Sequence, residues 1–163
     1  MDWYSKSREA IQRCYGDKWA LFTLCLAATS MHRSLAANVT LARKAFNQIE
    51  DTGTIKREGF CKAEYNALLS VIRGELPKGI KVRNFCKALL GDKNAVTVDV
   101  WMARLFLGKD QPTRKEYLRL ANKLSAEAKA LNRSPAEHQA KLWQLSRGKK
   151  SSYADYLQQG NLI

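Results

Sequence analysis

An apolar stripe with helical spacing between residues 82 and 90 most strongly limits the folds open to this chain. Gly91 follows the stripe directly, and a glycine in that position ends a helix by adopting the left-handed conformation. The stripe therefore predicts a helix that buries one face in a core, entered through a turn at residues 77–79. Its members recur at i, i+3, i+4, i+7 and i+8, which is the spacing of one face of an α-helix: Val82, Phe85, Cys86, Leu89 and Leu90.

The same spacing continues along almost the whole chain, with turn residues between the periodic segments. No run with strand periodicity is longer than residues 96–100, which we interpret as a helix start. We therefore predict a compact all-α bundle with Trp101 and Trp143 in its core and a solvated loop at residues 147–152. The first predicted helix is capped by Ser5 or Ser7 and ends at residue 15. The other predicted helices cover 18–30, 34–49, 58–73, 80–90, 100–107, 113–132, 135–145 and 153–158, and a turn is predicted at 51–53.

The chain has the size and composition of one globular domain. Its 163 residues are 45% hydrophobic, so a single domain spanning residues 1–163 is large enough to bury a core. No apolar run reaches the length of a membrane span, and the first residues lack the basic start and apolar stretch of a signal peptide. We therefore expect a cytoplasmic monomer with no membrane partner.

The four cysteines are widely separated and form no CxxC pair. Zinc and iron–sulfur sites are usually built from such pairs, so we expect no metal and no cofactor. Cys25 and Cys86 lie in apolar stripes, which predicts that they are reduced core residues.

A strong excess of positive charge points to an anionic partner. Lys and Arg number 28 against 15 acidic residues, which gives a formal net charge of +13. Nucleic acid is the first candidate for such a chain. The alternative is a solvated basic surface without a specific partner.

Two charged residues flank the apolar stripe and are the strongest candidates for chemistry. Lys81 follows the turn at 77–79, and Asp99 comes eighteen positions later at the start of the next helical segment. The structural alternative is that Asp99 only caps the helix beginning at Val100, while Lys81 is solvated in a first helical turn.

Residues 76–104 resemble the helix-hairpin-helix DNA glycosylases, the superfamily of endonuclease III and 8-oxoguanine glycosylase. Leu76-Pro77 and Gly79 match the family's hairpin, although Lys78 or Ile80 stands where a second hairpin glycine is expected. Lys81 matches the nucleophilic lysine of bifunctional members, and Val98-Asp99-Val100 matches the segment that holds the catalytic aspartate. The region between Asn38 and Leu76 is short for the family, so the chain would be a reduced, phage-type member.

The resemblance implies a helix-hairpin-helix motif near residues 60–91 and binding of double-stranded DNA. It implies base excision through Lys81 and Asp99 in DNA repair, as a hydrolase and, if bifunctional, a lyase. Two alternatives remain: a glycosylase-fold enzyme of phage thymine hypermodification, and a non-catalytic DNA-binding module. The implied DNA contacts are the hairpin residues Lys78, Gly79, Ile80 and Arg83, together with the family's DNA-facing mouth at Ser30, His32, Arg33 and Asn38.

Overall fold

Helices follow one another along residues 1–157, which are the residues that the computed structural model describes. No strand occurs in this range, so the predicted all-α class is confirmed. Residue 158, the end of the last predicted helix, lies outside the described residues. The helices are α1 (Trp3–Tyr15), α2 (Trp19–Ala28), α3 (Leu35–Thr52), α4 (Lys62–Ile72), α5 (Ile80–Leu90), α6 (Val100–Leu107), α7 (Arg114–Ala130), α8 (Pro135–Arg147) and α9 (Tyr153–Leu157), with a 3₁₀ turn at Gly16–Lys18.

Side-chain caps set several helix starts that differ from the predicted ones. α1 begins earlier than expected because the Asp2 carboxylate accepts a hydrogen bond from the Ser5 N–H at 3.0 Å, which makes Asp2 the cap. α4 begins later because Cys61 and Glu64 form a reciprocal capping box. α3 continues through the expected turn at 51–53, and only Gly53 leaves the helix, with φ at +70°.

The main core surrounds α2, which is apolar on every side. A helix of this composition is stable in water only when neighbours cover it, and α1, α3, α4 and α5 all contact α2. Cys25 on α2 and Cys86 on α5 are fully buried, as predicted. A membrane span needs a longer apolar helix than any found in residues 1–157. Fully buried members of this core include Ile11, Phe22, Leu26, Leu68 and Leu89.

A second, smaller core joins α6 and α7 to the extended stretch that precedes Asp99. The Tyr117 hydroxyl is its central polar group: it donates to the Val96 carbonyl at 2.8 Å and accepts from the Val98 N–H at 3.1 Å. Because this stretch has no strand partner, the Tyr117 hydroxyl satisfies backbone groups that would otherwise be buried without partners. It therefore fixes the backbone immediately before Asp99. The buried residues of this core are Val96, Val98, Met102, Tyr117, Leu120 and Leu124.

We predict that Tyr117→Phe lowers the free energy of unfolding by about 1–3 kcal/mol, because removing the hydroxyl leaves the buried Val96 and Val98 backbone groups unsatisfied. Urea denaturation measures the change. Tyr65→Phe is the matched control, since the Tyr65 hydroxyl has no hydrogen bond within the described chain, and it should be close to neutral. Equal stability of the two variants would contradict the bridging role of Tyr117.

Candidate active-site cavity

A cavity of about 520 Å³ lies where the two cores meet. Its volume falls within the roughly 300–1,000 Å³ of small-molecule sites in proteins. The walls come from α1, the link between α2 and α3, α5, the stretch before α6, α8, and the connection from α8 into α9. Segments distant in sequence therefore enclose one space.

Lys81 and Asp99 line this same cavity. Lys81 is the second residue of α5 and is half-buried. The turn before α5 places it there: Gly79 precedes the helix with φ at +100°, a conformation that residues with a Cβ rarely adopt. Among the ion pairs between described residues none includes Lys81, so its charged end is not neutralised by a carboxylate in contact.

Asp99 has a structural contact and a cavity-facing position at the same time. Its carboxylate accepts a hydrogen bond from the Met102 N–H at 3.0 Å and so caps α6. Burial raises the pKa of the Asp99 carboxyl above its usual value, although the Met102 N–H, the Lys81 charge and the Trp143 side chain each lower it. The two interpretations of Asp99, a helix cap or a chemical group, are therefore compatible in this geometry.

Aromatic rings form much of the cavity wall. The Trp3 and Trp143 rings meet edge to face with centroids 5.1 Å apart, and Tyr153 packs beside Trp3 at 5.4 Å. Trp101 lines the cavity with 41% of its surface exposed. The prediction that Trp101 and Trp143 belong to the core is wrong for Trp101 and only half right for Trp143, which packs against both cores and also lines the cavity.

Arg147 is a cavity residue that the sequence did not reveal. It is the last residue of α8, and its guanidinium lies over the Trp143 ring with its central carbon 3.5 Å from the centroid. The predicted solvated loop at 147–152 is wrong at this position. The sequence feature that could have revealed Arg147 is Gly148, which ends α8 with φ at +65°. A helix extended to that glycine places residues 143 and 147 one turn apart on one face.

The link between α2 and α3 also lines the cavity, through Ser30, His32 and Arg33. Arg33 donates two hydrogen bonds to Glu64, at 3.2 and 2.9 Å, and Glu64 is fully buried. Burial raises the pKa of the Glu64 carboxyl, but hydrogen bonds from Arg33 and Cys61 outweigh it and leave that pKa below its usual value. Arg33 therefore holds the link against α4, and His32 is the exposed ring of this wall.

Asn38 belongs to the core rather than to a DNA-facing surface. It is 1% exposed. Its amide nitrogen donates to the Leu26 carbonyl at 2.9 Å and to Thr29 Oγ1 at 2.8 Å, while its oxygen accepts from the Tyr153 hydroxyl. With these contacts made inside the protein, Asn38 has no surface to offer DNA in this conformation.

The residues at which the resemblance implies a hairpin lie next to the cavity in sequence and are not among its lining residues. Lys78, Gly79 and Arg83 are exposed, whereas the Ile80 side chain packs against the second core and leaves only its backbone for a ligand. No side chain caps the first turn of α5, so its N–H groups remain directed at the space before the helix.

A family model with the description "Family of unknown function (DUF7178)" matches residues 1–150. The chain belongs to this family. The DUF7178 segment includes α1 to α8, and with them Lys81, Asp99 and Arg147. The cavity is completed from beyond the matched segment by Ser151, Tyr153 and Tyr156. No curated protein and no solved structure matches the chain.

The raised pKa of Asp99 predicts a pH-dependent difference between the parent protein and Asp99→Asn. A carboxyl whose folded pKa exceeds its unfolded value favours folding while protonated, so this contribution is lost as pH rises from about 3.9 through the folded pKa. The parent should lose stability relative to Asp99→Asn across that window and then keep a constant difference. Urea denaturation of both proteins between pH 4 and 8 measures it, and the other titrating groups cancel in the comparison.

Because asparagine caps a helix about as well as aspartate, we expect the two proteins to differ by no more than about 1 kcal/mol near pH 7. If the parent instead gained stability relative to Asp99→Asn as pH rises, this result would contradict a raised pKa of the buried Asp99 carboxyl.

Proposed function

We propose that the protein is a DNA base-excision glycosylase that uses Lys81 and Asp99 on a nucleotide extruded from double-stranded DNA. The observation that carries the proposal is the position of both residues in one aromatic cavity of about 520 Å³. This arrangement matches what the resemblance to helix-hairpin-helix glycosylases implies for these two positions. A DNA-binding module without chemistry needs neither an enclosed cavity nor a lysine and an aspartate inside it.

In the proposed reaction the neutral Lys81 amine attacks C1′ of the target nucleotide. The glycosidic bond breaks, and the base leaves with the bonding electrons and takes up a proton. Loss of a proton from the attacking nitrogen and opening of the sugar ring give a Schiff base between Lys81 and C1′. The Asp99 carboxylate stabilises positive charge that develops at C1′ in the transition state. Hydrolysis of the Schiff base releases an abasic site, and elimination of the 3′ phosphate gives strand cleavage.

Base excision requires the target nucleotide to leave the stacked duplex and enter a pocket. Trp101 is the exposed aromatic residue of the cavity and offers a stacking surface to a base that has lost its stacking partners. Trp3, Trp143 and Tyr153 form the apolar wall of the same cavity. These rings support a planar aromatic occupant over an aliphatic one.

We assign binding of the DNA backbone to α4, the turn before α5, and the first turn of α5. These elements are expected to form the helix-hairpin-helix motif. The uncapped N–H groups at the start of α5 suit a phosphate, because a helix N-terminus carries partial positive charge. Exposed Lys78 and Arg83 add two cations beside them. Such contacts hold the backbone without reading the base sequence.

Borohydride trapping on a duplex with one abasic site tests the chemistry. We predict that the parent protein forms a covalent adduct, and that Lys81→Gln and Lys81→Arg form none, because neither side chain supplies a nucleophilic amine. Denaturing electrophoresis of labelled DNA measures the adduct. Lys129→Gln is the matched control, since it removes an exposed lysine of α7 that lies outside both the cavity and the proposed DNA-binding elements, and it should be trapped like the parent.

Adduct formation by Lys81→Gln would remove Lys81 from the proposed role. Absence of trapping by the parent, together with release of a base in a glycosylase assay, would replace the lysine mechanism by a monofunctional one. Absence of both activities would leave the hypermodification relative or the non-catalytic module.

We predict that duplex binding weakens steeply with salt, because phosphate contacts release counterions from DNA. Lys78→Ala and Arg83→Ala should each reduce affinity similarly on different sequences and lower the salt slope by about 1. Fluorescence anisotropy across a salt series measures both quantities. Lys129→Ala removes an exposed lysine from α7 and should leave them unchanged. No binding at low salt would contradict the nucleic-acid proposal.

A further inference from the structure

The Arg147 guanidinium is a cation without a hydrogen-bond partner at two of its nitrogens. Nε and Nη2 are both shielded from bulk solvent and make no hydrogen bond within the described residues. The side chain is stacked on Trp143 and lines the cavity. Burying charged donors without acceptors is unfavourable, and buried polar groups are normally satisfied. No partner for these two nitrogens lies among residues 1–157.

The charges around the cavity show what kind of partner fits. Lys81, Arg147 and Lys149 line it, and none of the three is in an ion pair with another described residue. Asp99 is the only carboxylate among the lining residues in the described part of the chain. Burial lowers the pKa of Arg147, and the Asp99 charge opposes this only in part. The cavity therefore carries an excess of positive charge that an anion would neutralise.

We propose that Arg147 binds the phosphate group of a nucleotide lodged in the cavity. The inference rests on the proposed function, because it names the part of the extruded substrate that this residue holds. The assignment makes the ligand a nucleotide with its phosphate engaged, rather than a base held by its ring alone.

Two features of the site favour a nucleotide phosphate over other anions. Arg147 and Lys149 bring two positive charges to the cavity, which match the roughly two negative charges of a phosphate monoester, and Arg147 Nη1 is not among the shielded nitrogens. The guanidinium lies against Trp143, and Trp101, which is 41% exposed, adds an aromatic surface that suits a base. One molecule that satisfies both surfaces carries an aromatic ring and an oxyanion, and the cavity volume of about 520 Å³ is ample for it.

Isothermal titration of the full chain with the four deoxynucleoside 5′-monophosphates and their nucleosides tests the assignment. At least one nucleotide should bind about tenfold or more tightly than its nucleoside, because a charge-assisted pair contributes that much affinity. Arg147→Met should remove this advantage, and Arg147→Lys should retain part of it through its point charge. Arg119→Met, which removes an exposed arginine of α7 outside both the cavity and the proposed DNA-binding elements, should keep the full advantage.

A second measurement on the unaltered protein guards against misfolding of the variants. The arginine Nε–H signal that disappears from the nitrogen–proton spectrum in Arg147→Lys should shift with a nucleotide and with inorganic phosphate, but not with a nucleoside. Equal affinity for nucleotides and nucleosides, no binding of either, or a phosphate advantage that survives Arg147→Met would overturn the proposal. Abasic-site trapping reports on Lys81 separately, so phosphate binding without trapping would reject the lysine mechanism and keep the Arg147 site.

Discussion

Burial of α2 is the constraint on which the rest of the structure depends. Its ten residues, Trp19–Ala28, are apolar on all sides, so neighbouring helices must cover it before the chain is stable in water. Its C-terminal carbonyls need partners as well, and Asn38 on α3 supplies one by donating to the Leu26 carbonyl. The same Asn38 accepts from Tyr153 and thereby ties α9 to the centre of the protein. Covering α2 therefore brings α1 and α9 to the walls of one cavity.

Helix boundaries were predictable wherever the signal was local. Gly91, Gly108 and Ser134 mark ends and starts that depend on a single residue's conformational preference or on a side-chain oxygen within three residues. The misplaced starts have the same cause. Asp2 competes with Ser5 for the cap of α1, and a cysteine rather than an oxygen-bearing residue caps α4. Sequence spacing gives the buried face of each helix well and the capping residue less well.

The cavity itself was only partly predictable. Lys81 and Asp99 stood out because both adjoin an apolar stripe, and the structure places them on one cavity. Trp101 and Trp143 are large aromatic residues of the kind that usually lie in a core. They line the cavity because α6 and α8 pack together beside it. Asn38 is polar, and it is buried because its amide donates to the Leu26 carbonyl, one of the last carbonyls of α2 and twelve residues earlier in the chain. Arg147 begins a run of charged residues, and its guanidinium is removed from solvent by stacking on Trp143, one turn earlier in α8.

The double position of Asp99 has a consequence for how this scaffold can change over generations. The α6 cap needs an oxygen that accepts from the Met102 N–H, and asparagine, serine or threonine supplies one. Selection for folding alone would therefore not retain a carboxylate at residue 99. A single nucleotide change that converts the aspartate codon to an asparagine codon would leave a folded, strongly basic protein with an altered cavity. Descendants with the same architecture and different chemistry are thus one mutational step away.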